Sequence, residues 1–379
     1  MKRSTAAAWA AAALLAVPAF GQDGGDAAAT AREASAALAA SVEALTAAQS
    51  ARDRVAALTE TIRAYEAGQS ALREGLRRVT IREAEIQARF DAKSDRVARL
   101  LGVLATMERA PEPLLLLHPS GALGTARSAM LVSDITPALQ AEAETLRHEL
   151  EEIALLKALQ EGAGETLDEG VRTVQAARLA LSQAVSDRVD LPKRITESPE
   201  ELAAIAAGID TLDALADILA DRQLQPEAGT LSFADARGSL PWPVLGTVLR
   251  AAGEPDAAGI ARPGLLLATR PRALVTAPFA ATIRYLGPLL DYGNVIILEP
   301  GDGYLMVLAG LDQVYGEPGL VIEAGAPVGL MGGNEPAAKE FLTAAKEGGG
   351  AERTETLYIE IREGSEPEDP AVWFANTRE

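Results

Sequence analysis

The chain has 379 residues and a formal net charge of −19, with no cysteine and only two histidines, His118 and His148. These totals exclude disulfides, cysteine nucleophiles and thiolate metal sites, and they leave too few histidines for a His-rich zinc centre. The negative charge argues against a nucleic-acid partner, because phosphate binding needs clustered cations.

The N-terminal residues, MKRSTAAAWAAAALLAVPAFGQD, have the pattern of a secretory signal peptide. Two basic residues precede an apolar run over 6–17, and small residues follow at positions 19 and 21. The apolar run is shorter than the roughly 20 residues of a spanning helix, although an N-terminal membrane anchor is the alternative. We expect residues 1–21 to be cleaved and the mature chain to be exported, in a bacterium to the periplasm.

Residues 22–193 carry the pattern of a coiled coil. An apolar seam extends from Val55 to Met107 in an unbroken 3-4 alternation. The polar residues Gln69, Glu83 and Lys93 occupy three positions of this seam. The proline-rich stretch RAPEPLLLLHPSG ends this first helix, and a second one is predicted from about residue 125 to residue 189.

Two long helices joined by a proline-rich corner favour an antiparallel hairpin. A parallel intermolecular dimer is the alternative, because heptads alone do not set the order of the helices. His118 lies in the corner and His148 on the second helix. We expect both to be exposed or capping histidines, since a lone histidine lacks the companion ligands that a metal needs.

A shorter amphipathic helix is predicted within residues 194–222. Ser198 and Glu201 have the spacing of a capping box, and an apolar stripe follows. The stripe consists of Leu202, Ile205, Ile209, Leu212, Leu215 and Leu219. Such a helix must cover another surface, either the coiled coil or, as a movable element, the next domain.

After a polar linker at residues 223–238, residues 239–379 contain about seven short apolar runs separated by glycine and proline. This texture is typical of an all-β sandwich or barrel. Asp302-Gly303 in EPGDGYL predicts the tip of a hairpin. The segment has no histidine to act as a base for a serine nucleophile, and it has no G-x-S-x-G motif.

The stretch TLYIEIRE predicts a half-buried strand. Leu357, Ile359 and Ile361 alternate with Tyr358, Glu360 and Arg362, so that an apolar face and a polar face are expected. The polar face could be a catalytic wall or a surface that grips a partner. Ordinary half-exposed strand tyrosines are the simpler alternative.

The β segment resembles the LytM (lysostaphin-type) metalloendopeptidase fold. The resemblance rests on SLPWPVLGTVLRAAGEP, on RPGLLLATRPRALVTAPFAATIRYLGPLLDYGNVIILEPGDGYLMVLAGL, on GAPVGLMG and on LYIEIR, in the family's order. Active members of the family hold zinc through H-x-G-x-D and H-x-H motifs and a histidine in Y-x-H-L. In this chain the ligand positions are occupied by Arg262, Leu266, Gly310, Thr356 and Tyr358, while Glu360 persists. The resemblance therefore implies a degenerate domain with no catalytic residue, no metal and no cofactor.

A degenerate LytM domain behind an exported coiled coil is similar to the EnvC-like murein hydrolase activators. That resemblance implies a non-catalytic activator of a periplasmic zinc N-acetylmuramoyl-L-alanine amidase, which cuts septal peptidoglycan so that daughter cells separate. The amidase helix is expected in the former zinc groove. The implied groove residues are Tyr358, Arg362, Tyr292, Leu266, Leu308 and Glu360.

The same resemblance implies that residues 194–222 block the groove until an FtsEX-type ABC transporter pulls on the coiled coil at the division septum. The expected fold class is α+β multidomain: a long antiparallel coiled-coil helical hairpin followed by an all-β LytM-like degenerate metalloendopeptidase domain at 239–379. The alternative function is a division scaffold that binds peptidoglycan directly and does not activate an amidase.

Overall fold

The computed structural model describes residues 51–108, 121–186, 212–221, 232–256, 259–289, 292–336, 338–346 and 354–375, with scattered positions between 36 and 50. The chain divides into two compact units, residues 1–72, 167–337 and 351–379 in the first and residues 73–166 and 338–350 in the second. The predictions for the signal peptide, for the corner with His118 and for helical residues 198–211 lie outside the described residues.

The region predicted as a coiled coil contains two long helices, α1 (Ala51–Glu108) and α2 (Gly121–Ser186). In the first unit Arg178 of α2 contacts Glu66 of α1. Within the second unit Gln160 contacts Glu83 and Glu149 contacts Lys93, so residue numbers there fall along α2 as they rise along α1. His148 is exposed on α2, next to Glu151. Across the described helices, no segment is both long and apolar enough to cross a membrane.

The third helix, α3 (Leu212–Asp221), is the described part of the predicted amphipathic helix. The predicted all-β segment contains one helix as well, α4 (Ala338–Lys346), so the expectation of an all-β domain is wrong at this point. Its sequence, AKEFLTAAK, is rich in residues that favour helices, and the connection in which it lies is long enough to form one.

The part of the β segment that the structure describes forms ten strands. They are β1 (Gly246–Arg250), β2 (Leu265–Thr269), β3 (Leu274–Thr276), β4 (Ala281–Pro288), β5 (Asn294–Gly301), β6 (Tyr304–Val314), β7 (Val321–Ile322), β8 (Pro327–Met331), β9 (Glu355–Glu363) and β10 (Glu366–Glu368). Seven of the described strands follow the order β1-β2-β9-β6-β5-β4-β7, while β10 pairs with β9 and β8 pairs with β6 and β3. The long strands β9 and β6 therefore lie side by side near the middle of the sheet.

The hairpin predicted at Asp302-Gly303 is confirmed. It joins β5 to β6, and both tip residues have a positive φ, 55° at Asp302 and 82° at Gly303. Such a two-residue turn needs left-handed backbone at both positions, which glycine and aspartate tolerate best. The Asp302 carboxylate also accepts hydrogen bonds from the Ser232 hydroxyl and the Phe233 N–H.

Phe233 lies in the segment predicted as a linker, yet it belongs to the β core. Its side chain is fully buried and stacks on Trp373, with ring centroids 4.5 Å apart. The rings of Tyr304 and Phe279 also pack against it. The folded β domain thus begins before residue 239, because this aromatic group is completed by a residue ahead of the first strand.

The sheet has two apolar faces. The inner face packs against the main core, which includes Leu267, Met306, Leu308, Ile359 and Trp373. The opposite face is built from Tyr285, Val295, Ile297, Leu305, Val307, Ala309 and Tyr358, with Leu266 and Tyr292 beside them. We call this second surface the α3 face, because Leu215 and Leu219 of α3 are buried on it.

Candidate functional site

Helix α3 covers the middle of the α3 face. Leu215 and Leu219, four residues apart, lie on one side of the helix and are completely buried. They belong to the same apolar cluster as Tyr358 of β9 and as Leu305 and Val307 of β6. Burying two leucines contributes roughly 1.5–3 kcal/mol each before the cost of ordering the helix.

A row of polar side chains along β9 lies at this site. The Tyr358 hydroxyl donates to Glu360 at 2.6 Å and accepts a hydrogen bond from the Gly264 N–H at 3.0 Å. Arg362 donates to the other oxygen of Glu360 at 2.7 Å and to Asp217 of α3 at 2.6 Å. The row therefore links the strand to the helix through one shared guanidinium.

The structure corrects the expectation of a half-buried β9. Glu360 is 0% exposed and Arg362 4%, so the polar side of the strand is buried like its apolar side. This is possible because both oxygens of Glu360 accept hydrogen bonds and its charge is paired with Arg362. The alternation in the sequence placed the side chains on the correct faces but could not reveal that both faces are covered.

The chemistry of Tyr358 is set by its burial. Burial raises the pKa of the phenol well above its usual value, and the neighbouring Glu360 carboxylate raises it further. The phenol therefore stays protonated and acts as a hydrogen-bond donor. Gly264 is required beside it, because a Cβ at that position would lie 2.5 Å from the Tyr358 ring.

Several of the positions that the resemblance to LytM peptidases implies as former zinc ligands lie close together on the sheet. Leu266 of β2 lies opposite Tyr358 of β9, and the other strand neighbour of Tyr358 is Ala309, which precedes Gly310. Gly310 has a φ of 95°, and a Cβ there would lie 2.5 Å from the carbonyl oxygen of Thr356. Arg262 lies near this group, with its guanidinium 5.2 Å from the centre of the Tyr292 ring.

These residues do not fit a zinc ion. Leucine and glycine offer no ligand atom, the arginine guanidinium has no lone pair for a metal, and the Tyr358 hydroxyl is already engaged by Gly264 and Glu360. Over the described residues as a whole, no three His, Cys, Asp or Glu side chains are grouped so that they could hold a metal. The arrangement offers an aromatic and apolar surface with a buried ion pair at its edge.

The structure brings most of the predicted groove residues together but not all of them. Tyr358 and Tyr292 have ring centroids 5.9 Å apart, and Leu266, Glu360 and Arg362 are close by along the same strands. Leu308 is an exception and this prediction is wrong, because its side chain lies in the main core on the opposite face. Since side chains alternate along a strand, its neighbours Val307 and Ala309 occupy the α3 face.

Sequence reasoning also missed Asp217 and Tyr285. Asp217 lies between the two leucines of the apolar stripe, and this acidic residue could have been matched with an arginine on the sheet. Tyr285 lies on the α3 face with its hydroxyl 3.0 Å from the Pro288 carbonyl. No feature of its local sequence distinguishes it from other strand tyrosines.

Residues 261–370 match the model of Peptidase family M23. The chain is similar to "Uncharacterized protein NMB1333" of Neisseria meningitidis serogroup B, with 27% identity over 142 residues, which is 38% of this chain and 21% of that relative. A crystal structure of a Pseudomonas aeruginosa protein assigned to peptidase M23 aligns at 18% identity and a TM-score of 0.31, covering 47% of this chain and 64% of that one. A zinc-containing peptidase from Vibrio cholerae aligns at 16% identity and a TM-score of 0.28, covering 38% and 41%. On this match, residues 261–370, less than a third of the chain, are similar to the LytM-type domain of peptidase family M23.

Proposed function

We propose that the protein is a non-catalytic activator of a periplasmic zinc N-acetylmuramoyl-L-alanine amidase, and that α3 is its built-in inhibitor. The observation that carries the proposal is the position of α3 on the sheet. The helix lies on the face that contains Leu266 and Tyr358, and the Asp217–Arg362 ion pair holds it there. The resemblance to LytM peptidases implies that these two positions are former zinc-ligand positions. An M23-type domain is consistent with a role at peptidoglycan.

The absence of enzymatic activity is part of the proposal. Metal-assisted hydrolysis needs about three protein ligands and an open coordination position. The residues at the five ligand positions cannot supply them, and both histidines of the chain lie ahead of the domain. The domain is therefore better suited to binding than to hydrolysis.

The α3 face is suited to binding a helix. Its tyrosines offer rigid contact area at a small entropic cost, and Arg362 offers a planar fork for a carboxylate. Leu215, Asp217 and Leu219 are an example of side chains that this face accommodates. We propose that an amidase helix with apolar residues one turn apart and an acidic neighbour replaces α3.

Replacement of α3 by a partner helix needs only a modest difference in free energy between the closed and the open state. A partner can shift the equilibrium only by its differential affinity for the open and closed states, and about 5.5 kcal/mol moves a population from 1:99 to 99:1. The two buried leucines and the half-exposed Asp217 contact give α3 a docking energy of that order, which a partner could overcome.

The long helices are the proposed input. We propose that α1 and α2 form an antiparallel coiled-coil hairpin, supported by the pairs Glu66–Arg178, Glu83–Gln160 and Lys93–Glu149. In this proposal an FtsEX-type ABC transporter at the division septum acts on the hairpin, and α3 is released. Export through the N-terminal signal peptide would place the protein in the periplasm.

The test is dye release from labelled sacculi by a periplasmic zinc amidase, with the purified chain added. The double variant Leu215→Asp/Leu219→Asp should activate the amidase more strongly than the unmodified chain, because carboxylates cannot be buried on the α3 face. Leu179→Asp is the matched control, since Leu179 is 67% exposed on α2. Adding Arg362→Ala to the double variant should reduce activation again, whereas equal output from all four proteins would contradict the proposal.

A peptidoglycan-binding division scaffold is the second candidate, and the M23 match favours it. Such a scaffold would sediment with purified sacculi in the absence of any amidase, and its binding would not require release of α3. Sedimentation of the unmodified chain together with an unchanged amidase rate would favour the scaffold over the activator.

A further inference from the structure

A small polar cavity lies where the two long helices meet the β domain. Its wall includes Glu66 and Gln69 of α1, Arg178 of α2, and Arg270 and Glu335 of the β domain. All of its lining residues belong to the first compact unit. The cavity offers about 20 Å³ to the centre of a water-sized molecule. Because a single water needs roughly 10–15 Å³ by this measure, the cavity has room for one.

The Gln69 side chain is buried at this cavity. It is 5% exposed, and among the described residues neither its amide nitrogen nor its amide oxygen has a hydrogen-bond partner. Gln69 occupies a position of the seam at which apolar residues are usual. A buried amide without partners is costly, and such groups in folded proteins are therefore nearly always satisfied. The amide thus indicates that something outside the protein chain binds to it.

Arg178 brings one more buried polar atom to the same cavity. Its Nη2 donates to Glu66 at 2.8 Å, and its Nη1 donates to Glu335 at 3.3 Å. Glu66 also accepts a hydrogen bond from the Leu274 N–H at 3.0 Å. The third guanidinium nitrogen, Nε, is buried and has no partner within the part of the chain that the structure describes. The two carboxylates therefore leave one N–H of Arg178 for another acceptor.

These three atoms decide the chemistry of the occupant. Gln69 Nε2 and Arg178 Nε are donors, whereas Gln69 Oε1 is an acceptor. An anion could only accept, so it would leave the Gln69 oxygen unsatisfied and would lie beside the carboxylates of Glu66 and Glu335. A metal cation would leave both N–H groups unsatisfied and would lie beside the Arg178 guanidinium. Water both accepts and donates, and it therefore suits all three atoms.

We propose that the cavity is an internal water-binding site, at which one water molecule bridges Gln69 of α1 and Arg178 of α2. Three hydrogen bonds are the usual number for a buried water. The water joins the two helices beside the contacts of Glu335 and the Leu274 N–H, and it makes a glutamine compatible with the seam. Gly170 of α2 leaves room for the amide, because a Cβ there would lie 3.0 Å from the Gln69 nitrogen. This inference does not depend on amidase activation.

Nuclear Overhauser effects from water to the ¹⁵N-labelled glutamine amides of the unmodified chain test the proposal in solution. A long-held water gives an effect opposite in sign to that of rapidly exchanging surface water, and we expect the long-held kind at Gln69. The signal that Gln69→Met removes identifies this amide. Gln175, which is exposed on α2, should show only surface water. Gln160, which is buried but donates to Glu83, should show no long-held water.

A high-resolution crystal structure of the unmodified chain provides the second measurement. We expect one water within hydrogen-bond distance of both the Gln69 amide and Arg178 Nε. Gln69→Met keeps the length of the side chain but removes both polar atoms, so that the water should be lost. Ser70→Ala, at a neighbouring residue of the same wall, is the matched control and should keep it.

Three results would overturn the proposal. The first is the lack of a long-held water at Gln69 in solution. The second is a direct hydrogen bond between Gln69 and Arg178, or an ion in place of the water, in the crystal. The third is a water that persists in Gln69→Met, because Gln69 would then not hold it.

Discussion

Tyr358 shows how one side chain can connect two strands and an apolar surface. Its hydroxyl is a donor to Glu360 and an acceptor for the Gly264 N–H, while its ring packs among the residues of the α3 face. Together with Leu215 and Leu219 of α3, this tyrosine forms part of a covered surface.

We expect Tyr358→Phe to destabilise the β domain by about 1–3 kcal/mol, because Glu360 loses a donor and the Gly264 N–H loses its acceptor in a buried site. Denaturant unfolding of the two proteins measures the difference. Tyr315→Phe is the control, since the Tyr315 hydroxyl is buried without a hydrogen-bond partner and its loss should cost nothing. Equal stability of the Tyr358 variant and the unmodified chain would show that these two hydrogen bonds contribute little.

At the scale of elements, the β domain depends on a segment that lies outside its strands. Phe233 precedes β1, yet it packs between the rings of Trp373, Tyr304 and Phe279. Asp302, at the tip of the β5–β6 hairpin, holds this segment through the Phe233 N–H. The β5–β6 hairpin turn and the segment that contains Phe233 therefore stabilise each other.

Phe233→Ala should lower the free energy of unfolding of the β domain by about 3–5 kcal/mol, the usual cost of emptying a buried phenylalanine site. Tryptophan fluorescence during denaturant unfolding would report the change, because Trp373, one of the three tryptophans of the chain, stacks on Phe233. Val372→Ala, at a neighbouring residue that is 43% exposed, should change stability by less than about 0.5 kcal/mol. A similarly small effect at Phe233 would return residues 223–238 to the role of a linker.

At the scale of the whole molecule, the buried ion pair of Glu66 and Arg178 makes stability depend on pH. Burial raises the pKa of Glu66 above its usual value, although Arg178 opposes the shift. A carboxyl whose folded-state pKa is raised binds more protons in the folded state than in the unfolded state. Its stabilising contribution is therefore complete below the unfolded pKa and is lost as the pH rises through the folded pKa.

Glu66→Gln removes this titration and keeps an oxygen for the Leu274 N–H. We expect the thermal midpoint of the variant, relative to that of the unmodified chain, to increase between pH 4 and pH 7. Glu60→Gln, at an exposed position on the same helix, is the control and should show no such trend. A difference at Glu66 that does not change with pH would mean that the ion pair with Arg178 cancels the effect of burial.

Much of the architecture was predictable, because it depends on patterns within short segments. Period-2 alternation assigned Leu357, Ile359 and Ile361 to one face of β9, and the Asp-Gly pair predicted the β5–β6 turn, which the structure confirms. Order and spacing of motifs predicted the LytM-type domain, in agreement with the M23 match at residues 261–370. The antiparallel coiled coil and the role of α3 as an inhibitor stay predictions.

Local sequence patterns therefore determined which elements form and which side of each is apolar. The reason is that the periodicity of apolar residues follows the side of a helix or strand that packs against a core. Only the tertiary structure decided that the polar side of β9 is buried, that Leu308 faces the main core and that Phe233 belongs to the domain. The reason is separation along the chain: Arg362 and Asp217 are 145 residues apart, and no local pattern records a contact over that distance. Only the folded molecule decides which element covers a given surface, and in this protein α3 covers the α3 face of the sheet.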